Sequence, residues 1–146
     1  MEETGQPPIS AALLLMMLGR QLRDRAETEL RRQGLSMRHF SALGHLAHHP
    51  GLSYSELARR DGITTQSMQS TLRQLEELGA VERLTAPGRG RTADLKVTES
   101  GRELLDRCRA ILNGIDQELD RAIGADQTAQ LATTTLQALT ALSRSS

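Results

Sequence analysis

Apolar positions recur along most of the chain with the period of an α-helix, and the breaks between them fall at glycine, proline and capping residues. After a lead-in that ends at Pro7-Pro8, the first periodic stretch starts near Ile9 or Ser10 and runs to about Gln33. Leu15, Leu18, Leu22, Ala26 and Leu30 are in phase, and Gly34 is its stop. Its first half, AALLLMML, is apolar nearly all round, which predicts burial on more than one side. A chain of 146 residues has little of its own to cover such a helix, so a second copy is the expected cover.

Further along, Ser36 is placed to cap a helix that turns Phe40, Leu43 and Ala47 inward and ends at Pro50-Gly51. Ser53-Tyr54-Ser55-Glu56 has the spacing of a capping box and opens a short helix through Arg60. Asp61-Gly62-Ile63 predicts a tight turn. Thr64 then caps a longer helix with Met68, Leu72, Leu75 and Leu78 on one face, ended by Gly79. The pattern now changes. Residues 81–85 and 94–97 predict two strands of a β-hairpin around the Gly88-Arg89-Gly90-Arg91 tip. Thr98 caps a long helix whose stripe includes Leu104, Leu105, Cys108, Ile111, Leu112 and Ile115, and Gly124 closes it. A last helix, from about Asp126 to Leu142, carries Leu131, Leu136, Leu139 and Leu142. The expected class is mainly α, with one β-hairpin.

Composition narrows this only slightly. Hydrophobic residues make up 38% and charged residues 25%, a soluble globular mixture, and the formal net charge is +0. Any nucleic-acid surface must therefore come from local charge. Lys96 is the only lysine, so that charge is arginine. The longest apolar run, Ala11 to Leu18, is too short to span a bilayer and lacks the basic start and cleavage site of a signal peptide. With Cys108 as the single cysteine, a cytoplasmic location is expected.

The stretch from Ser53 to Val97 carries the chemistry. A short helix, a tight turn, a longer helix and a hairpin follow the order of a winged helix-turn-helix, whose second helix enters the major groove. Gln66, Gln69, Ser70 and Arg73 lie opposite Met68, Leu72 and Leu75. Glutamine pairs with adenine and arginine with guanine, each pair giving about 1–3 kcal/mol of discrimination. Thr64 and Thr65 sit where free N–H groups favour a phosphate. Ser53 at the first helix, and Arg89 and Arg91 at the hairpin tip, complete the candidate DNA contacts. Glu76, Glu77 and Glu82 place negative charge near the far end, so contact is expected through the N-terminal half of the longer helix.

Three sets of residues resemble the MarR family of winged helix-turn-helix regulators: Leu52-Ser53 through Glu56-Leu57-Ala58, Leu75-Glu76-Glu77-Leu78-Gly79-Ala80-Val81-Glu82-Arg83, and Leu95-Lys96-Val97-Thr98-Glu99-Ser100-Gly101-Arg102. The resemblance covers nearly the whole chain. It implies one domain over 1–146, with 9–34 and 99–144 as dimerisation helices around a 36–98 winged lobe. It also implies a homodimer on a pseudo-palindromic operator, acting as a repressor released by a small ligand. In that family the effector crevice lies between the dimer core and the DNA-binding lobe. Here Met16, Met17, Arg20, Met37, His39 and Phe40 would line it, a set suited to a planar aromatic acid. Two departures keep the operator from being carried over. The wing tip lacks the family's acid before the arginine, and Arg73 and Ser70 replace an acidic and a basic residue.

Other readings stand beside this one. Cys108 is a redox sensor or, sitting between Leu104 and Leu112, a core residue. His45 and His49, one turn apart and both turned from the apolar face, are metal ligands or a solvated pair. A winged-helix module that binds protein and not DNA fits the same pattern. No cofactor or metal is expected. No enzyme constellation is present, since Gly88-Arg89-Gly90 does not open a helix and no serine sits in a nucleophile elbow.

Overall fold

Serine and threonine set the helix starts. In the computed structural model, which describes residues 9–84 and 95–145, Ser10 caps α1 (Ala11–Arg32), Ser36 caps α2 (Met37–His48), Ser53 caps α3 (Tyr54–Asp61) and Thr64 caps α4 (Thr65–Glu77). In each, the hydroxyl oxygen accepts the backbone N–H three residues on, at 3.0–3.3 Å. Such a cap contributes about 1 kcal/mol. Strands β1 (Val81–Arg83) and β2 (Leu95–Val97) follow, then α5 (Glu99–Ile123) and α6 (Ala125–Arg144). The strands pair antiparallel, Val81 opposite Val97, Glu82 opposite Lys96 and Arg83 opposite Leu95.

Packing divides the chain after Arg109. In the first unit, α2, α3, α4 and the two strands enclose one core. Leu43 and Leu46 of α2, Leu57 of α3, and Met68, Leu72 and Leu75 of α4 are buried there against Val81, Leu95, Val97 and Leu105. The inward face of α2 is Ala42, Leu43 and Leu46. Phe40 is only partly buried and Ala47 is exposed, so the expected Phe40–Leu43–Ala47 stripe is rotated by about one residue. Leu78 also departs from expectation. It lies at the C-cap of α4, past the last buried turn, and is exposed.

The junction between hairpin and α5 explains the Leu-x-Val-Thr-x-x-Gly-Arg pattern. Leu95 and Val97 point into the core. Thr98 donates its backbone N–H to the Ala80 carbonyl at 3.0 Å and its hydroxyl to the Gly79 carbonyl at 2.5 Å. The same hydroxyl accepts the Gly101 N–H at 3.0 Å. Gly101 is buried against that turn. A Cβ at this position would lie inside van der Waals contact with the Ala80 carbonyl oxygen and 2.8 Å from Val97 Cγ1.

Within α1 only Ala26 and Leu30 are buried, while Leu13, Leu14, Leu15, Met16 and Met17 are exposed. Among the described residues of the second unit, from Ala110 onward, Ile115 is the buried one and Leu119 is half-buried. No described residue of α6 is buried, and Leu136, Leu139 and Leu142 stand exposed.

Candidate nucleic-acid interface

The two faces of α4 have opposite character. Met68, Thr71, Leu72 and Leu75 are buried, and the one polar group among them, the Thr71 hydroxyl, donates to the Ser67 carbonyl at 3.0 Å. Thr65, Gln66, Gln69, Ser70 and Arg73 are all exposed. The helical period thus presents a continuous polar strip with one cation, backed by a rigid apolar seat. That is the arrangement a helix needs to reach base edges while staying anchored in its lobe. Thr64 is already engaged. Its hydroxyl accepts from the Ser67 N–H and donates to Ser67 Oγ at 2.9 Å. Ser53 is half-buried and holds the start of α3 in the same way. Arg89 and Arg91 lie outside the described residues.

Three side-chain clusters hold α2, α3, α4 and β1 together, and the sequence alone announced none of them. At the turn between α3 and α4, Gly62 takes φ +66°, a left-handed conformation that suits glycine, and the Ile63 N–H returns to the Ala58 carbonyl at 3.0 Å. Just before it, Asp61 has a side chain only 5% exposed. Its Oδ1 accepts from the Ser41 hydroxyl and lies 3.0 Å from His45 Nε2. His45 is therefore no solvated partner of His49; it braces α2 against the end of α3. His49 is exposed, as expected.

On the other side, Arg83 of β1 donates to the Tyr54 hydroxyl at 3.2 Å and approaches Glu76 Oε2 at 3.5 Å. The hydrogen bond to Tyr54 leads the effects that raise its pKa, so the guanidinium stays charged. Arg83 thereby ties strand, α3 and α4 together and partly offsets one of the three glutamates that were expected to repel DNA. Glu77 and Glu82 remain exposed.

The third cluster centres on His39. Its Nδ1 accepts the Ser36 N–H at 3.1 Å, completing a capping box, and its Nε2 lies 2.7 Å from Gln74 Oε1 on α4. His39 also lines a cavity of about 600 Å³ whose walls include Arg23 and Glu27 of α1, Met37 and Arg38 of α2, and Arg60 and Asp61 of α3. Of the residues expected to form an effector crevice, Met37 and His39 line this cavity. Met16, Met17, Arg20 and Phe40 do not. Met16 and Arg20 are exposed on the N-terminal half of α1, and Phe40 packs on the core. The arginine of α1 that reaches the cavity is Arg23, one helical turn past Arg20.

A MarR family model matches residues 33–92, from the C-cap of α1 to a point past β1 and short of β2. The HTH-type transcriptional repressor Rv2887 of Mycobacterium tuberculosis is 36% identical over 114 residues, covering 78% of this chain and 82% of that relative. This chain belongs to the MarR family. The crystal structure of the same M. tuberculosis protein in complex with DNA superposes with a TM-score of 0.76 at 30% identity, over 89% of this chain and 98% of the other. Its complex with salicylic acid gives 0.72 at 32% identity, over 89% and 96%. MepR of Staphylococcus aureus, at 20% identity, shares the fold with a TM-score of 0.71, over 92% and 99%.

For this MarR-family chain, the sensing alternatives find little support in the geometry. Cys108 is buried. Burial pushes its thiol pKa up, against a smaller opposing pull from Arg107, and so disfavours the reactive thiolate. A disulfide reagent such as DTNB is expected to leave Cys108 untouched in the folded protein at neutral pH and to label it on unfolding. Rapid labelling of the folded form would restore the redox reading. Among the described residues, no three His, Cys, Asp or Glu side chains converge to hold a metal ion. None of the described helices is long and apolar enough to cross a membrane.

Proposed function

We propose that this chain is a homodimeric transcriptional repressor of the cytoplasm, not an enzyme, that binds a pseudo-palindromic duplex operator and is released by a small organic ligand. The observation that carries this reading is the polar strip of α4, with Gln66, Gln69, Ser70 and Arg73 exposed over a fully buried Met68–Leu72–Leu75 face. Gln66, Gln69 and Arg73 would contact bases in the major groove. Thr65, beside the free N–H groups at the start of α4, would contact phosphate, as would Thr64, Ser53 and the wing arginines Arg89 and Arg91. The exposed apolar faces of α1 and α6 would join two copies. A dimer places two recognition helices about 34 Å apart, one turn of DNA, which matches a twofold operator. The repressor name of the M. tuberculosis relative and its complexes with DNA and with salicylic acid support the same reading for this chain.

Fluorescence anisotropy on duplex DNA from just upstream of the chain's own gene tests it. Binding is expected to be sequence-specific and to fall steeply with salt. Arg73→Ala should cost about 1–3 kcal/mol and relax preference at one base position, while Arg89→Ala should weaken all sequences alike and flatten the salt slope by about one. If neither upstream DNA nor fragments selected from the whole genome bind better than random duplex, the polar strip serves a protein partner and the reading is wrong.

A further inference from the structure

His39 stands where the α2 cap, the cavity and the recognition helix meet. Its chemistry there is constrained. The Ser36 N–H points at Nδ1, so Nδ1 must be an acceptor, and a neutral imidazole then carries its single proton on Nε2. That N–H is given to Gln74 Oε1 at 2.7 Å. The ring thus bridges the start of α2 and the outer side of α4, using both nitrogens. Gln74 is exposed next to Arg73 and one turn beyond Ser70, and both Ser70 and Gln74 border the cavity.

The charges facing that ring come from three helices. Arg23 and Glu27 of α1, Arg38 of α2, and Arg60 and Asp61 of α3 line the cavity, and α4 contributes only neutral groups. One oxygen of each carboxylate has a partner, while Asp61 Oδ2 is buried with none among the described residues. Glu27 Oε1 accepts the Met37 N–H at 3.2 Å, and Asp61 Oδ1 holds Ser41 and His45. Arg23, Arg38 and Arg60 outnumber the two carboxylates and leave the cavity wall net positive, a surface suited to an organic carboxylate.

We infer that His39 transmits occupancy of this cavity to the recognition helix, because its one N–H serves either Gln74 or the carboxylate of a bound ligand, not both. The inference rests on the effector reading above and deepens it. An ionised acceptor makes a shorter and stronger hydrogen bond than a neutral amide oxygen. A carboxylate among the arginines therefore outcompetes Gln74 Oε1 for the Nε2 proton. The strut between α2 and α4 opens, and the face that carries Arg73 and Ser70 loses a lateral restraint. Ligand and strut exclude each other, and reciprocity requires that DNA, which favours the seated helix, weaken the ligand by the same factor. His39 is a positioning residue in this scheme for DNA, and a contact residue for the ligand.

Residue 39 occupies the capping-box position where glutamine or glutamate is more usual. His39→Gln therefore keeps the α2 cap but cannot also reach Gln74. Gln74→Ala removes the strut from its other end. With salicylate as the probe and the upstream operator as DNA, each single variant is expected to weaken DNA binding about fivefold, the net worth of one hydrogen bond. The double variant should be no weaker than either single one. Salicylate should lower the operator affinity of the wild type by about fivefold, the worth of the strut it opens, and that of each variant less than twofold. The two ends should differ in one respect. Gln74→Ala frees the Nε2–H and binds salicylate more tightly than wild type, while His39→Gln binds it more weakly. A loosened lobe would not shift salicylate affinity in opposite directions. The Nε2 proton resonance of His39 should also move on adding salicylate. Salicylate that binds wild type and releases DNA from Gln74→Ala equally well overturns this inference and leaves the effector reading standing. Salicylate that fails to bind wild type overturns the cavity as an organic-carboxylate site and with it this inference, while the effector reading, which names no particular ligand, stands.

Discussion

Gly101→Ala is expected to destabilise the winged lobe by about 3 kcal/mol and to lower its melting temperature by roughly 10 °C. Two effects compete. Alanine is favoured over glycine within a helix by about 1 kcal/mol. Against that, the new methyl group would press on the Ala80 carbonyl oxygen and on Val97 Cγ1. The carbonyl is main chain, and it is already held by the Thr98 N–H. Displacing it would break the Thr98 link between the end of β2 and the turn after α4. A flexible side chain could yield, but this turn cannot, so overpacking wins. Gly114→Ala in the same helix is the control. Nothing lies within 4 Å of a Cβ there, so only the propensity gain of up to about 1 kcal/mol applies. Thermal unfolding followed by circular dichroism measures both. A Gly101→Ala protein that melts at or above wild type would show that the α5 start slides freely on the turn.

Charging the outer face of α6 should have the second large effect. A chain carrying Leu136→Glu and Leu139→Glu is expected to run as a monomer and to lose about 10²-fold in operator affinity, because two linked half-site contacts become one. Leu136 and Leu139 are 64% and 60% exposed within one chain, and α6 has no buried residue among those described. Substituting them removes nothing from the core. Both also border a groove with Asp116 and Leu119 of α5, so an unchanged circular dichroism spectrum is needed to assign the loss to a surface between two copies. Light scattering after gel filtration reads the mass directly. A variant that remains dimeric would place the subunit contact on α1 alone.

Local signals in the sequence were legible because they act over three or four residues. Ser36, Ser53, Thr64 and Thr98 cap the next residues in the chain, and each hydroxyl was found on the expected N–H, while the Ser10 cap of α1 went unread. The exposed strip of α4 follows from helical period alone. The error of phase on α2, where Ala47 is exposed and Leu46 buried, is about one residue, and Leu78 falls just past the end of α4.

Long-range pairings were not legible. Nothing in the spacing of His45 and Asp61 announces that they meet, and the four-residue spacing of His45 and His49 pointed to the wrong partner. Arg83, Tyr54 and Glu76 lie on three elements, and only the fold brings them together. His39 was legible as a candidate but not in its role. Its two bonds run to a neighbour three residues away and to a helix 35 residues away, and only the first has a local signature.

The division of labour within α4 has a consequence for how such a regulator changes over generations. The side chains that seat the helix are Met68, Thr71, Leu72 and Leu75, and those that face outward are a separate set. Gln66, Gln69, Ser70 and Arg73 can therefore be exchanged with little effect on folding, where surface substitutions usually shift stability by no more than about 0.5 kcal/mol. After gene duplication, a copy could acquire a new target within a few substitutions without first passing through an unstable intermediate. The scaffold is inherited, and under the proposed function the address is rewritten on the surface.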